Sequence, residues 1–205
     1  MQISLHNVGK RYNRNWIFRN VSIDFTHPSN YAIIGANGSG KSTLLQTIAG
    51  GIMQSEGSII YRSNINSIEI SSENAFKYLS IVAPYLDLIE EMTAIEFLSF
   101  HNTFKKLTQS INDILMEVGL SKDANKQIRY FSSGMKQRLK LAQAFFSNTS
   151  LLLLDEPTTN LDVKGIQLYQ NLISNYTKDR LVIVSSNDIN EYQHSSEIIE
   201  IENYK

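Results

Sequence analysis

Two stretches of the chain hold residue types at spacings that can do phosphate chemistry. The first is GANGSGKS at 35–42, which follows an apolar run and precedes a helical pattern. Gly35, Gly38 and Gly40 let the backbone curl so that successive N–H groups, including those of Asn37 and Ser39, point at phosphate oxygens. The start of the next helix adds its positive dipole end. Lys41 can reach the β and γ phosphates, the Ser42 hydroxyl can bind Mg²⁺, and Thr43 can donate to the α phosphate. The second stretch is LLLLDEP at 151–157, an apolar run tipped by Asp155 and Glu156. Adjacent carboxylates at a strand end repel each other unless a cation or substrate uses them. Asp155 is suited to holding Mg²⁺, and Glu156 to polarising an attacking water as general base.

These groups need rigid elements to aim them. Alternation in ISLHNV and WIFRNVSIDF predicts two half-buried strands joined by a polar turn at Asn13–Asn15. YAIIG predicts a short buried strand, KSTLLQTIAGG a helix closed by Gly50 and Gly51, SEGSIIYR a strand, and FKYLSIVAP a strand stopped by Pro84. From about Thr93 to Phe146 only helical spacing recurs. SLLLLDEP and RLVIVSSND then read as buried parallel strands with polar tips, VKGIQLYQNLISNY as the crossover helix between them, and EIIEIEN as the last strand.

Composition sets bounds. The 205 residues, 42% hydrophobic and 10% aromatic, are enough to bury a core. A net charge of −1 argues against a partner such as nucleic acid that is gripped by bulk charge. There is no cysteine, and the four histidines, His6, His27, His101 and His194, are scattered without ligand spacing. No signal peptide or spanning run is present, so a cytoplasmic chain is expected, docked on whatever spans if it serves a membrane.

Between the two motifs lies FSSGMKQR at 131–138, a polar turn before a basic amphipathic helix. Taken alone it is a cap, with Ser132 or Ser133 accepting from free N–H groups and Gly134 allowing a bend. With GANGSGKST and LLLLDEP around it, almost the whole chain resembles the ATP-binding cassette (ABC) ATPases. The resemblance implies an α/β fold. It consists of a P-loop NTPase core, mostly parallel sheet with an antiparallel N-terminal β region, and an inserted helical subdomain. The whole would be one nucleotide-binding domain over 1–205, with a core lobe of 1–84 and 148–205 and a helical subdomain of about 85–147. It implies ATP and Mg²⁺ as cofactors. FSSGMKQR corresponds to the family's L-S-G-G-Q signature, so Ser132 and Gly134 would contact the γ-phosphate of ATP bound to a second nucleotide-binding subunit, the same chain or a related one. Tyr12 takes the place of the aromatic that stacks on adenine. Asn160, Leu161 and Asp162 resemble the loop that crosses the dimer interface. EEMTAIEF at 90–97 resembles the segment near the face that receives a transmembrane permease subunit. Membrane contact would come only through that permease, on the inner face. The length is similar to that of small ATPases of bacterial export systems, the haem-exporter type among them.

Two positions depart from the family pattern. Where a glutamine usually follows the strand leading into the insert, IVAPYLD has Pro84, with Tyr85 and Asp87 as the nearest polar groups. Where a histidine usually meets the γ-phosphate, LVIVSSND has Asn187, which donates but carries no charge. An ATPase that is slow or dependent on its partner is the expectation. The alternatives are a regulatory switch that binds ATP and scarcely hydrolyses it, and a soluble cassette ATPase acting on ribosomes or DNA. The transported substrate is not legible, because in this family the permease selects it.

Overall fold

The computed structural model describes residues 1–27, 29–63 and 68–205. The first two strands, β1 (Gln2–Tyr12) and β2 (Asn15–Thr26), form an antiparallel hairpin whose turn places Asn13 at φ 54°. Asparagine tolerates this left-handed conformation at small cost. After β3 (Asn30–Ile34) and α1 (Lys41–Ile48) come β4 (Glu56–Arg62), β5 (Glu69–Ile70), the single turn α2 (Ser72–Ala75) and β6 (Leu79–Val82). Three helices follow, α3 (Ala94–Phe104), α4 (Ile111–Glu117) and α5 (Ser133–Phe145). The chain then runs through β7 (Leu151–Asp155), α6 (Val163–Tyr176), β8 (Leu181–Ser185), α7 (Ile189–Tyr192) and β9 (Glu197–Glu200). It closes in a 3₁₀ turn over Ile201–Tyr204, where EIIEIEN reads as strand to its end.

Two sheets result. One is antiparallel in the order β2-β1-β4-β5; the other is parallel in the order β6-β7-β8-β3-β9. The central parallel strands β7 and β8 are buried along their whole length because both of their faces are covered, and the period of two decides which residue goes where. Leu151, Leu153, Leu181 and Ile183 point into a core shared with α1 and the antiparallel sheet, among them Ile3, Phe18, Phe25, Leu44 and Leu45. Leu152, Leu154, Val182 and Val184 point into the opposite core with Phe97, Leu115, Leu139, Phe145 and Tyr169 of α3 to α6. Each such leucine contributes about 1.5–3 kcal/mol by burial. The central strands therefore join the inserted helices to the rest of the molecule and hold the sheet's C-terminal edge in place, and that edge carries the site.

Candidate active site

β3 lies between β8 and β9, and its C-terminal end opens into the glycine loop. Gly38 sits at φ 77° and Gly40 at φ 106°. A Cβ on Gly40 would fall 2.5 Å from Ile17 Cγ2, so conformation and space both require glycine there. The Lys41 ammonium is buried and donates to the carbonyls of Gly35 (2.7 Å) and Ala36 (3.2 Å). Ser39 Oγ is buried without a partner among the described residues. Ser42 and Thr43 follow in the first turn of α1.

The loop differs from the sequence expectation at two N–H groups, of which that of Ser39 turns back to donate to Ala36 O at 3.0 Å. Ala36 N–H does not point inward; it donates to the Glu202 carboxylate at 2.7 Å, and this bond holds Glu202 below its ordinary range. From the same final turn, Lys205 Nζ donates to Ser39 O at 2.6 Å and to Ile17 O at 3.2 Å. The closing residues of the chain thus brace the loop from outside. No motif announces Glu202 or Lys205.

Asp155 is level with Ser185 of β8 in the parallel register and is 1% exposed. Burial pushes its carboxyl upward, while the nearby hydroxyls of Ser42 and Ser185 pull it back. Its Oδ1 nevertheless accepts no hydrogen bond among the described residues. An unpaired, desolvated carboxylate oxygen is costly unless a cation meets it, and beside Ser42 the pair fits Mg²⁺. Among the described residues no group of three or more acidic or histidine side chains could hold a metal. A cation would therefore rest on Ser42, Asp155 and phosphate oxygens.

Glu156 turns out of the strand at φ 43°, with its N–H donating to Ser185 O at 2.9 Å. That conformation costs about 1 kcal/mol or more outside glycine and persists only where the surroundings impose it. Two residues that the sequence did not single out impose it here. Glu191, buried on α7, accepts from both the N–H and the hydroxyl of Thr158, and Gln137 of α5 donates to Pro157 O at 2.6 Å. Glu156 then faces an open cleft of about 260 Å³ lined by Asn37, Thr158, Thr159, Asn187 and Glu191. Asn187 donates from Nδ2 to Asn37 Oδ1 at 2.9 Å, so the strand tip after β8 touches the glycine loop.

Ser132, not Ser133, caps α5, accepting from Met135 N–H at 3.2 Å. Gly134 makes no bend, since it lies in the first turn of the helix. Its use is close approach, because a Cβ there would stand 3.1 Å from Asn160 O. Ser132, Gly134, Arg138, Asn160 and Asp162 line a second open cleft of about 350 Å³, and Arg138 pairs with Asp162 at 3.1 Å. None of residues 35–43 lines that second cleft. Tyr12 stays exposed at the hairpin end, under the Lys10 ammonium, and among the described residues no hydrogen bond or ring contact joins it to the loop.

The profile of a family described as "ABC transporter" matches residues 18–159, which span both motifs and the turn between them. The chain belongs to the ABC transporter family. The cassette is 32% identical over 205 residues to the lantibiotic transport ATP-binding protein SrtF of Streptococcus pyogenes, covering 96% of this chain and 85% of that protein. It is 30% identical to the cytochrome c biogenesis ATP-binding export protein CcmA of Reclinomonas americana, covering 90% and 83%. Its fold superposes with a TM-score of 0.78 on the ATP-binding cassette MJ0796, solved as a dimer in a post-hydrolysis state with ADP and Pi, at 25% identity over 97% and 94% of the two chains. The cassette is an ATP-binding, ATP-hydrolysing subunit of an ABC transporter.

Proposed function

We propose that the cassette works as one half of an ATP sandwich. Residues 35–43 of one subunit would hold ATP, and Ser132 and Gly134 of the other would meet its γ-phosphate through hydroxyl, backbone N–H and the start of α5. The observation that supports this reading best is the separation of the two clefts, one carrying Glu156 and the other the Ser132 turn. A single chain then carries the two halves in clefts that share no lining residue.

Within the closed site Lys41 would neutralise the β and γ phosphates, and the α1 dipole and loop N–H groups would hold them. Mg²⁺, when bound by Ser42 and Asp155, would supply charge neutralisation at the β and γ oxygens. Glu156 would orient and polarise water, and Asn187 would donate to the transferred phosphoryl group. Tyr12 would stack on the adenine. Because Asn187 brings no positive charge, slow turnover is expected.

A separate transmembrane permease would receive the work. Leu86, Ile89, Phe97, Phe100 and Phe104 line a groove of about 380 Å³, where Phe104 is 74% exposed, and this supports docking of a permease helix there. Among the described residues no helix is long and apolar enough to cross a membrane. We therefore put the cassette at the inner membrane face, bound through the permease. The name of one of the two relatives, the cytochrome c biogenesis ATP-binding export protein, favours an export system.

The test is ATP turnover per chain as protein concentration rises, with Glu156→Gln as blank. Turnover that climbs with concentration and vanishes in the variant supports a self-completed sandwich. Flat, blank-like turnover at all concentrations removes homodimeric hydrolysis and leaves a different partner chain or a switch.

A further inference from the structure

We propose that Glu202 and Lys205 are positioning residues of the nucleotide site, which clamp the turn 36–39 of the glycine loop in the shape from which the loop receives phosphate. The proposal rests on the reading of residues 35–43 as the ATP loop. The turn itself is short. Ser39 N–H donates to Ala36 O at 3.0 Å, and Gly38 sits between them at φ 77°. A positive φ at the third of four residues marks a type II turn, which glycine suits. The turn has one internal hydrogen bond, and both of its ends are held from elsewhere. At the first, Ala36 N–H donates to the Glu202 carboxylate at 2.7 Å; at the last, Ser39 O accepts from Lys205 Nζ at 2.6 Å.

The clamp has a fixed base. Ile201, next to Glu202, is fully buried in the core that also holds Phe18 of β2 and Leu45 of α1. Lys205 Nζ is tied to β2 as well, donating to Ile17 O at 3.2 Å. The first glycine of the motif makes room for the carboxylate, since a Cβ on Gly35 would fall 2.4 Å from Glu202 Oε2. Nor does the carboxylate stand alone before the phosphates. After its bond to Ala36 N–H, the ammoniums of Lys205 and Lys41 also favour its charged form.

The clamped turn carries the groups that would meet the γ-phosphate end of the nucleotide. Asn37 accepts from Asn187 Nδ2 at 2.9 Å, and Ala36 O accepts from Lys41 Nζ at 3.2 Å. A loop already in place does not have to be ordered when the nucleotide arrives, and that ordering would otherwise weaken binding. Neither Glu202 nor Lys205 lines the cleft shared by Asn37 and Glu156, so their effect would reach ATP through the turn.

The experiment measures the dissociation constant for ATP by calorimetry, and the melting point without ligand, for wild type, Glu202→Ala, Glu202→Gln and Lys205→Met, with Lys41→Ala as the control for the loop. Glu202→Ala and Lys205→Met should each bind ATP about fivefold more weakly, the order of one lost hydrogen bond. Glu202→Gln keeps an acceptor for Ala36 N–H and should return to within about twofold of wild type. Wild-type affinity in Glu202→Ala or in Lys205→Met overturns the proposal, even where the melting point falls, because the contact is then structural only. Tighter binding by Glu202→Ala overturns it too, since the carboxylate would then repel phosphate and not shape its seat. So does a glutamine variant as weak as the alanine, which would assign the effect to charge and not to the bond. If Lys41→Ala binds ATP as well as wild type does, the loop reading itself fails and takes the proposal with it. A loss in that control beside unchanged Glu202→Ala and Lys205→Met sinks the proposal alone.

Discussion

On the proposed reading of the site, Asn187 is the residue that sets the rate of this cassette. Its amide already touches the glycine loop through Asn37, so its position is right and its charge is what differs from an imidazolium. A charge-assisted contact to a phosphoryl group outweighs a neutral one by about 1–2 kcal/mol, which is about tenfold or more in rate. Asn187→His is therefore expected to raise kcat about tenfold with little change in KM for ATP, measured by phosphate release. An unchanged kcat would place the slow step elsewhere. Glu156 shows the same economy of position. Its left-handed backbone turns the carboxylate into the cleft, held there by Glu191 and Gln137.

Helix α5 is the element that links the sites. Ser132 at its start faces the second cleft, Gln137 grips Pro157 O, Lys140 grips the turn after β6, and Gln143 donates to His101 Nδ1 at 3.0 Å. With Nδ1 accepting, His101 must donate from Nε2 to Ser147 Oγ, 2.7 Å away, whose own proton goes to Gln143 O at 2.6 Å. Burial, and then the Lys105 ammonium, depress this imidazole to about 4. A depressed histidine contributes stability that is complete above its unfolded value near 6.5 and lost as pH falls toward 4. Between pH 7 and pH 4.5 the wild-type melting point should fall by about 2–4 °C more than that of His101→Asn, after discount for the partial exposure of the ring. Equal losses would show that other groups govern the acid limb. The apolar stripe of α5 was legible from its spacing, as were the buried strands and the glycine loop, whose chemistry demands consecutive residues. Its polar links were not, because Gln137, Lys140 and Gln143 resemble any surface residues until the fold supplies partners 20, 57 and 42 positions away. Glu202 and Lys205 were hidden for the same reason, each 166 residues from its partner in the loop. Two-residue β5 and the single turns α2 and α7 are too short to show a period.

At the scale of the molecule, the proposed sandwich divides one reaction between two clefts. The 35–43 loop, Asp155, Glu156 and Asn187 gather at the C-terminal edge of the parallel sheet. The Ser132 turn opens on its own cleft with Asn160 and Asp162. If each half is completed by a second copy, two variants that are each inactive should restore one another. Lys41→Ala removes the phosphate cation and keeps the turn; Gly134→Glu keeps the loop and sets bulk and negative charge where backbone approaches Asn160 O within 3.1 Å of a Cβ. In an equal mixture about half the dimers pair one variant with the other, and each mixed dimer has one intact site of two, so about a quarter of wild-type turnover is expected if the sites act independently. Rescue also proves that both variants fold. No rescue, with each variant retaining a cooperative melt, would mean that two copies of this chain do not complete each other and that the partner across the nucleotide is a different cassette.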